Sequence, residues 1–402
     1  MKKICVSFYL LLVSTFSFAQ WTNLNSGVND FIYAVDFTDT LNGYVSCAFG
    51  KILKTNNAGN TWTTVSTGTS NFLFGIKFTS HSTGYAAGEY GTLLKTTNAG
   101  ANWNQLTIAT TKHLQSFCFI DSLTGFVVGQ YGAIFKTIDG GVNWTDHSFS
   151  TSEYLWGGIH FPSADTGYVM GSGGMILRSI DAGNTWTALN SGFINHLTGS
   201  CFTSATTGYA VGDHGIILKT TNAGITWARM VSTTTAYILS VNFTDANTGY
   251  AFGDLWFPGT INNSYLQTTD AGLTWTKCNT GTNMIGTLYA STFLNDHTAY
   301  AVGQSGKIIK TTNLAVSVPE KELTNTISLY PNPATNKLNI SLSGKAVKQT
   351  AVHIYDLQGK ELMTSILDEN QTTLNVEALQ SGLYFVKITT EQGSETKKLV
   401  IE

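Results

Sequence analysis

Arginine is nearly missing from this chain: Arg178 and Arg229 are the two copies in 402 residues. Charged side chains of all kinds make up 12%, with 22 basic against 25 acidic residues and a formal net charge of −3. Cations so sparse and scattered offer no footprint for a phosphate backbone, which excludes nucleic acid as a partner. Cysteine is equally scarce. Beyond Cys5, the residues Cys47, Cys118, Cys201 and Cys278 fall in different repeats with no Cys-x-x-Cys pair, and they read as small core residues rather than a disulfide framework. The 8 histidines are dispersed. Without His-Glu-x-x-His, His-x-His or a Gly-x-Ser-x-Gly elbow, neither a metal nor a nucleophile is indicated, and no cofactor is expected.

Long apolar runs are confined to the start of the chain. Lys2 and Lys3 precede an apolar stretch from Ile4 to Phe18, and Ser17, Phe18 and Ala19 form a small-x-small cleavage site. Residues 1–19 are therefore expected to be a secretory signal peptide. No later segment approaches the roughly 20 apolar residues of a transmembrane helix. Export through the periplasm, with no transmembrane segment, is the expectation.

Glycine is abundant, with 40 copies, and it is periodic. Gly43, Gly84, Gly125, Gly167, Gly208, Gly249 and Ala299 each precede Tyr or Phe, at intervals of 41 or 42 residues until a last one of 50. A period near 40 with turn glycines and short apolar runs marks one four-stranded sheet per repeat, and such sheets bury their faces by stacking radially. The reading is all-β, with a seven-bladed β-propeller over residues 20–316. The first strand of each repeat ends on Phe, from Phe37 to Phe293, six residues before the glycine. Three positions before that Phe stands Gly, Ala or Ser, as crowding at the propeller axis demands. The column of Asp36, Lys77, Cys118, His160, Cys201, Asn242 and Thr292 varies instead, and is read as a polar channel lining.

The third turn carries Thr or Ser first, Asn or Asp third, Gly fifth and Trp eighth, from Thr55 to Trp62 in the first repeat through Thr268 to Trp275 in the sixth. A short polar side chain there bonds its own backbone, Gly takes a positive φ, and Trp fills the seam between blades. The seventh repeat lacks its Trp strand. Trp21 stands 22 residues before Gly43, the same interval as Trp62 to Gly84, so the N-terminal strand is expected to complete the last blade and close the ring.

Residues 317–326 read as a polar linker. From 327 to 402 short alternating strands, among them Lys337 to Leu342, Val352 to Tyr355 and Leu383 to Ile388, predict a small Ig-like β-sandwich.

Three resemblances attach to these motifs. The third-turn motif resembles the Asp-box of BNR-repeat propellers, where it is a folding device on the face away from the ligand. The pattern Gly-Tyr-x-x-Gly-x-x-Gly-x-x-Leu-Lys-Thr-Thr-Asn-Ala-Gly over residues 21–316 resembles the Ycf48-like photosystem II assembly-factor propellers, which are non-enzymatic scaffolds. Tyr330 to Pro333, Gly359, Gly382 to Ile388 and Lys397 to Glu402 resemble the C-terminal sorting domain of type IX (Por) secretion substrates. That resemblance implies transit through the type IX machinery, removal of the domain, and release or attachment at the outer cell surface.

Sialidases share the Asp-box but hold a substrate carboxylate with three arginines, which this chain cannot supply. Arg178 stands where other repeats have Lys54, Lys95 or Lys136, so it belongs to the scaffold. The positions freest of scaffold duty are turns between second and third strands: Glu89 and Tyr90, Gln130 and Tyr131, Asp213 and His214, and Gln304. Blade six carries an insertion from Asp254 to Asn263 that holds Trp256 and Phe257. These ten residues form the expected binding face, for a glycan, peptide or protein ligand. No catalytic or metal-binding residue is assigned. The alternative is an extracellular glycoside hydrolase acting on polysaccharide, with Asp213 and Asp254 as the carboxylate pair such chemistry needs.

Overall fold

The computed structural model describes residues 21–254, 264–282, 286–314, 326–343, 350–356, 361–367, 371–390 and 393–402. They fall into two compact units, divided between Ala315 and Val316. The expected signal peptide, most of the linker and the insertion from 255 to 263 lie outside the described residues. Among the described residues no helix is long and apolar enough to cross a membrane.

The first unit consists of seven four-stranded antiparallel sheets. Blade one is built from Ile32–Phe37, Gly43–Cys47, Ile52–Thr55 and Thr63–Val65, in that order. Its second strand is buried at every position, as befits a strand covered by the neighbouring blades on both faces. Blade seven takes its outer strand from the other end of the chain. Thr22–Asn25 pairs antiparallel with Lys307–Thr311, Thr22 opposite Lys310. Trp21, 2% exposed, packs edge-on against Phe252 at 5.5 Å and Tyr265 at 6.0 Å in blade six.

One aromatic stack recurs at all seven seams. The Tyr or Phe that follows the repeat glycine lies on the Phe that ends the next blade's inner strand, with ring centroids between 3.9 and 5.1 Å. Each stack adds about 0.5–1.5 kcal/mol beyond area burial. The seam from blade seven to blade one has the same geometry, Tyr300 on Phe37 at 4.1 Å. The glycine itself is explained by its own blade: a Cβ on Gly43 would stand 2.4 Å from the Phe37 ring.

The same Tyr and the repeat Lys share one acceptor. Tyr44 Oη and Lys54 Nζ both donate to the Ala99 carbonyl in the next blade's Asp-box, at 2.9 and 2.7 Å. Tyr300 and Lys310 do so to Ala58 across the closing seam. Inside each box the polar side chain ties the turn: Asp139 Oδ1 accepts from the Thr137 hydroxyl at 2.9 Å and the Asn143 N–H at 2.9 Å. Cys47, Cys118, Cys201 and Cys278 are free thiols.

The second unit is a two-sheet sandwich. Thr326–Tyr330, Lys337–Ser343 and Gln371–Asn375 form one sheet. Glu361–Leu367, Thr350–Tyr355, Gly382–Thr390 and Gly393–Ile401 form the other. Period-2 alternation turns Leu338 and Ile340 from the first, and Val352, Ile354, Val386 and Ile388 from the second, into one core. The Asn332 amide, between two prolines, brackets the last strand by donating to the Lys398 carbonyl and accepting from the Val400 N–H.

Candidate functional site

Register decides which turns share a face. Ile32 pairs with Cys47, so the start of each inner strand lies beside the turn between second and third strands. Gly43 pairs with Thr55, which sends the Asp-box turns to the opposite face. On the first of these faces, the loop face, the channel opens into a cavity of about 690 Å³.

Most inner strands begin on a buried Leu or Ile, such as Ile32, Leu73, Leu114 or Leu197; in blade six the strand starts one residue earlier, at Tyr237 before Ile238, and in blade four the corresponding Leu155 precedes the short strand Ile159–His160. The residues on either side of this Leu or Ile point away from the core, and most are aromatic. The one after it gives Tyr33, Phe74, Trp156 and Tyr289, which line the cavity. The one before it gives Phe31, Phe72, His113, Tyr154, His196 and Tyr237, of which His196 and Tyr237 also reach the cavity.

A third tier comes from the turns between second and third strands. Phe49, Tyr90, Tyr131 and His214 hold φ of 58°, 53°, 53° and 51°, a left-handed conformation that costs a residue with a Cβ about 1–2 kcal/mol. Gly173 fills the same place in blade four, so the turn itself has no need of an aromatic ring. Yet Phe49 is 56% and Tyr90 65% exposed. Each of the four packs on the aromatic residue that leads into the next blade: Phe49 on Phe72 and Tyr90 on His113 at 5.1 Å, Tyr131 on Tyr154 at 5.1 Å, and His214 on Tyr237 at 6.2 Å. The inner tiers are linked in turn, as Phe72 to Tyr33 at 6.2 Å and Tyr154 to Trp156 at 5.3 Å. The result is a pavement of rings descending from the rim into the channel mouth.

Several charges on this face are occupied in holding it. Lys51 Nζ lies 2.6 Å from Asp30. Glu89 accepts the Phe72 N–H at 3.0 Å, Glu153 accepts the Ser172 hydroxyl, and Lys112 donates to the Tyr131 carbonyl. Lys307 stands in blade seven where Lys51 stands in blade one, but meets Gly286 rather than an aspartate. A Cβ on Gly286 would lie 2.8 Å from its Nζ. That ammonium has no hydrogen-bond partner among the described residues, and burial lowers its pKa to about 8.

The sequence-selected residues divide accordingly. Tyr90, Tyr131 and His214 belong to the pavement. Glu89 supports it from beneath, and Gln304 does the same through the Thr287 N–H at 3.5 Å. Gln130 is half-buried in the blade-three turn. Asp213 is buried, with Oδ2 3.4 Å from His214 Nδ1, and Asp254 ends the strand paired with Tyr237. Trp256 and Phe257 lie outside the described residues. Of the column read as channel lining, Asn242 lines the mouth cavity. Asp36 and Lys77 instead pair with each other at 2.9 Å, and His160 stacks on Phe202 at 5.5 Å, its pKa lowered by burial. The two inner tiers were missed, although the signal is in the sequence as aromatic residues flanking a Leu or Ile once per repeat.

No curated protein matches the chain. Among solved structures, YCF48 from Cyanidioschyzon merolae is 19% identical with a TM-score of 0.61, covering 73% of this chain and 99% of its own. YCF48 bound to D1 peptide is 17% identical, TM-score 0.63, covering 74% and 98%. The GH74 xyloglucanase from Xanthomonas campestris is 12% identical, TM-score 0.59, covering 94% and 75%. At these identities the likeness is one of fold. Residues 328–402 match the secretion system C-terminal sorting domain. Residues 13–111 and 99–252, together more than half of the chain, match the photosynthesis system II assembly factor YCF48 model. The chain belongs to the YCF48 family of β-propellers, here carrying a secretion system C-terminal sorting domain.

Proposed function

We propose that this is a non-enzymatic propeller scaffold, exported by the type IX machinery to the cell surface or medium, that captures a glycan, peptide or protein ligand on the loop face. The observation that carries this reading is the aromatic pavement. Gly173 forms the same turn in blade four without a ring, so the exposed rings held in left-handed backbone elsewhere are not needed to make the turn, and strain retained at exposed positions points to a site. A structural relative, YCF48 bound to D1 peptide, is itself a ligand-binding propeller.

The hydrolytic alternative draws on the fold shared with the xyloglucanase, and a fold carries no activity by itself. The carboxylates Glu89 and Glu153 are committed to neighbouring backbone and hydroxyl groups. Asp213 is turned toward His214 and buried.

The test is a panel of oligosaccharides and peptides presented to the mature chain and to Phe74→Ala, with reducing-sugar release followed in parallel. Binding lost in the variant at unchanged melting temperature supports the reading. Sugar release abolished by Asp213→Asn with Asp254→Asn would transfer it to the hydrolase. For export, deletion of Lys397 to Glu402 is expected to leave the chain in the periplasm with its propeller folded.

A further inference from the structure

We propose that the loop-face cavity takes a neutral, hydroxyl-rich polysaccharide chain, its sugar rings laid against the pavement and its hydroxyls met at the channel mouth. This rests on the loop face being the binding surface, and names what binds there. The argument begins with charge. Among the described residues no Asp, Glu, Lys or Arg lines the cavity; of the charged groups on this face, Lys51 is paired with Asp30 and Glu89 with the Phe72 N–H, while the unpaired Lys307 lies outside the lining. A uronate, a phosphorylated polymer or a peptide terminus seated there would lose hydration without gaining a counter-charge, which is costly in a concave, partly dry site.

What the cavity does offer is of two kinds. Tyr33, Phe74, Trp156 and Tyr289 present ring faces and edges. Between them stand neutral hydrogen-bonding groups: Gln115, Ser116, Ser200 and Asn242. Of these, Asn242 is already oriented, its amide donating to the Ser240 and Ser291 hydroxyls at 3.2 and 2.9 Å. A pyranose has the complementary composition, with an apolar face of C–H groups that suits the electron-rich face of an aromatic ring and a rim of hydroxyls that both donate and accept. The three tiers continue outward from the cavity to Phe49 and Tyr90, so the surface accommodates several successive units, as a polymer requires and a single small metabolite does not.

The experiment uses the mature chain and calorimetric titration with neutral hexasaccharides of β-linked glucose, xylose and mannose. Oligogalacturonate and a mixed peptide pool, including proline-rich sequences, serve as comparison probes. At least one neutral hexasaccharide is expected to bind, with affinity changing less than about twofold between 50 and 500 mM salt, because no ion pair is being screened. Trp156→Ala should weaken it by about 30-fold, the scale of a central aromatic anchor, and Tyr33→Phe should preserve it. If Trp156→Ala lowers the melting temperature, Gln115→Ala, which removes one polar group from the mouth, replaces it and should weaken binding without destabilisation. Binding of peptides or oligogalacturonate, lost in the same variants while every neutral sugar fails, would overturn the ligand class and leave the loop-face site standing. Indifference of all probes to these substitutions would overturn both.

Discussion

The ring of Tyr33 lies stacked on that of Tyr289, with centroids 5.7 Å apart and planes at 25°. These residues are 256 positions apart in sequence, in blades one and seven (289 − 33). Their contact exists because the two ends of the propeller meet, so the aromatic surface crosses the closing seam without interruption. Ring closure and the loop face are thereby coupled at one place: a propeller that fails to close also loses part of its loop face.

Trp21→Ala tests the closing strand. Trp21 is buried between blades six and seven against Phe252 and Tyr265, and its truncation is expected to cost about 3–5 kcal/mol. Chemical denaturation of variant and wild type measures this, and a loss under about 1 kcal/mol would show that the N-terminal strand is dispensable.

Tyr90→Gly separates fold from function. Glycine relieves the left-handed strain at φ 53° but gives the unfolded chain more freedom. Stability is expected to stay within about 0.5 kcal/mol of wild type, while ligand binding weakens through loss of the Tyr90 and His113 pair. A marked destabilisation would return this side chain to the scaffold.

Lys307→Met should raise the melting temperature at pH 7. The folded pKa, about 8, lies below the ordinary 10.5 because burial disfavours the charged amine. Below pH 8 both states hold the proton and the folded state bears the full cost. Between pH 8 and 10.5 the unfolded state binds more protons, so wild-type stability rises with pH and the advantage of the variant shrinks. A difference in melting temperature that stays constant from pH 7 to 10.5 would contradict this.

Asp139→Asn addresses the Asp-box. Hydrogen bonds from Asn143 hold the Asp139 pKa at about 2, against 3.8 in the free side chain. A lowered carboxylate pKa contributes stability that is complete above pH 3.8 and lost as pH falls through 2. Asn57, Asn98 and Asn222 occupy the same place in other boxes, with Asn57 making the same bonds to Thr55 and Thr61. The variant should therefore fold at neutral pH, and its deficit relative to wild type should narrow between pH 4 and 2. Melting curves across that range check it.

The seven-fold architecture and the turn chemistry were legible along the chain because they are local. A blade is about forty contiguous residues, and the Thr137, Asp139 and Asn143 bonds close within one turn. The missing seventh Trp and the matching place of Trp21 could likewise be counted. Tyr90, Tyr131 and His214 were found as turn positions free of scaffold duty, one blade at a time. What makes them a surface was decided by tertiary structure. Phe49 meets Phe72, and Tyr131 meets Tyr154, only because radial packing sets the turn of one blade beside the strand entry of the next. The role of Lys307 was decided the same way, since a lysine in sequence carries no sign that the position facing it holds Gly286 where blade one holds Asp30. Periodicity fixes which face a residue takes within its own sheet, whereas partners and unpaired charges depend on which sheets become neighbours.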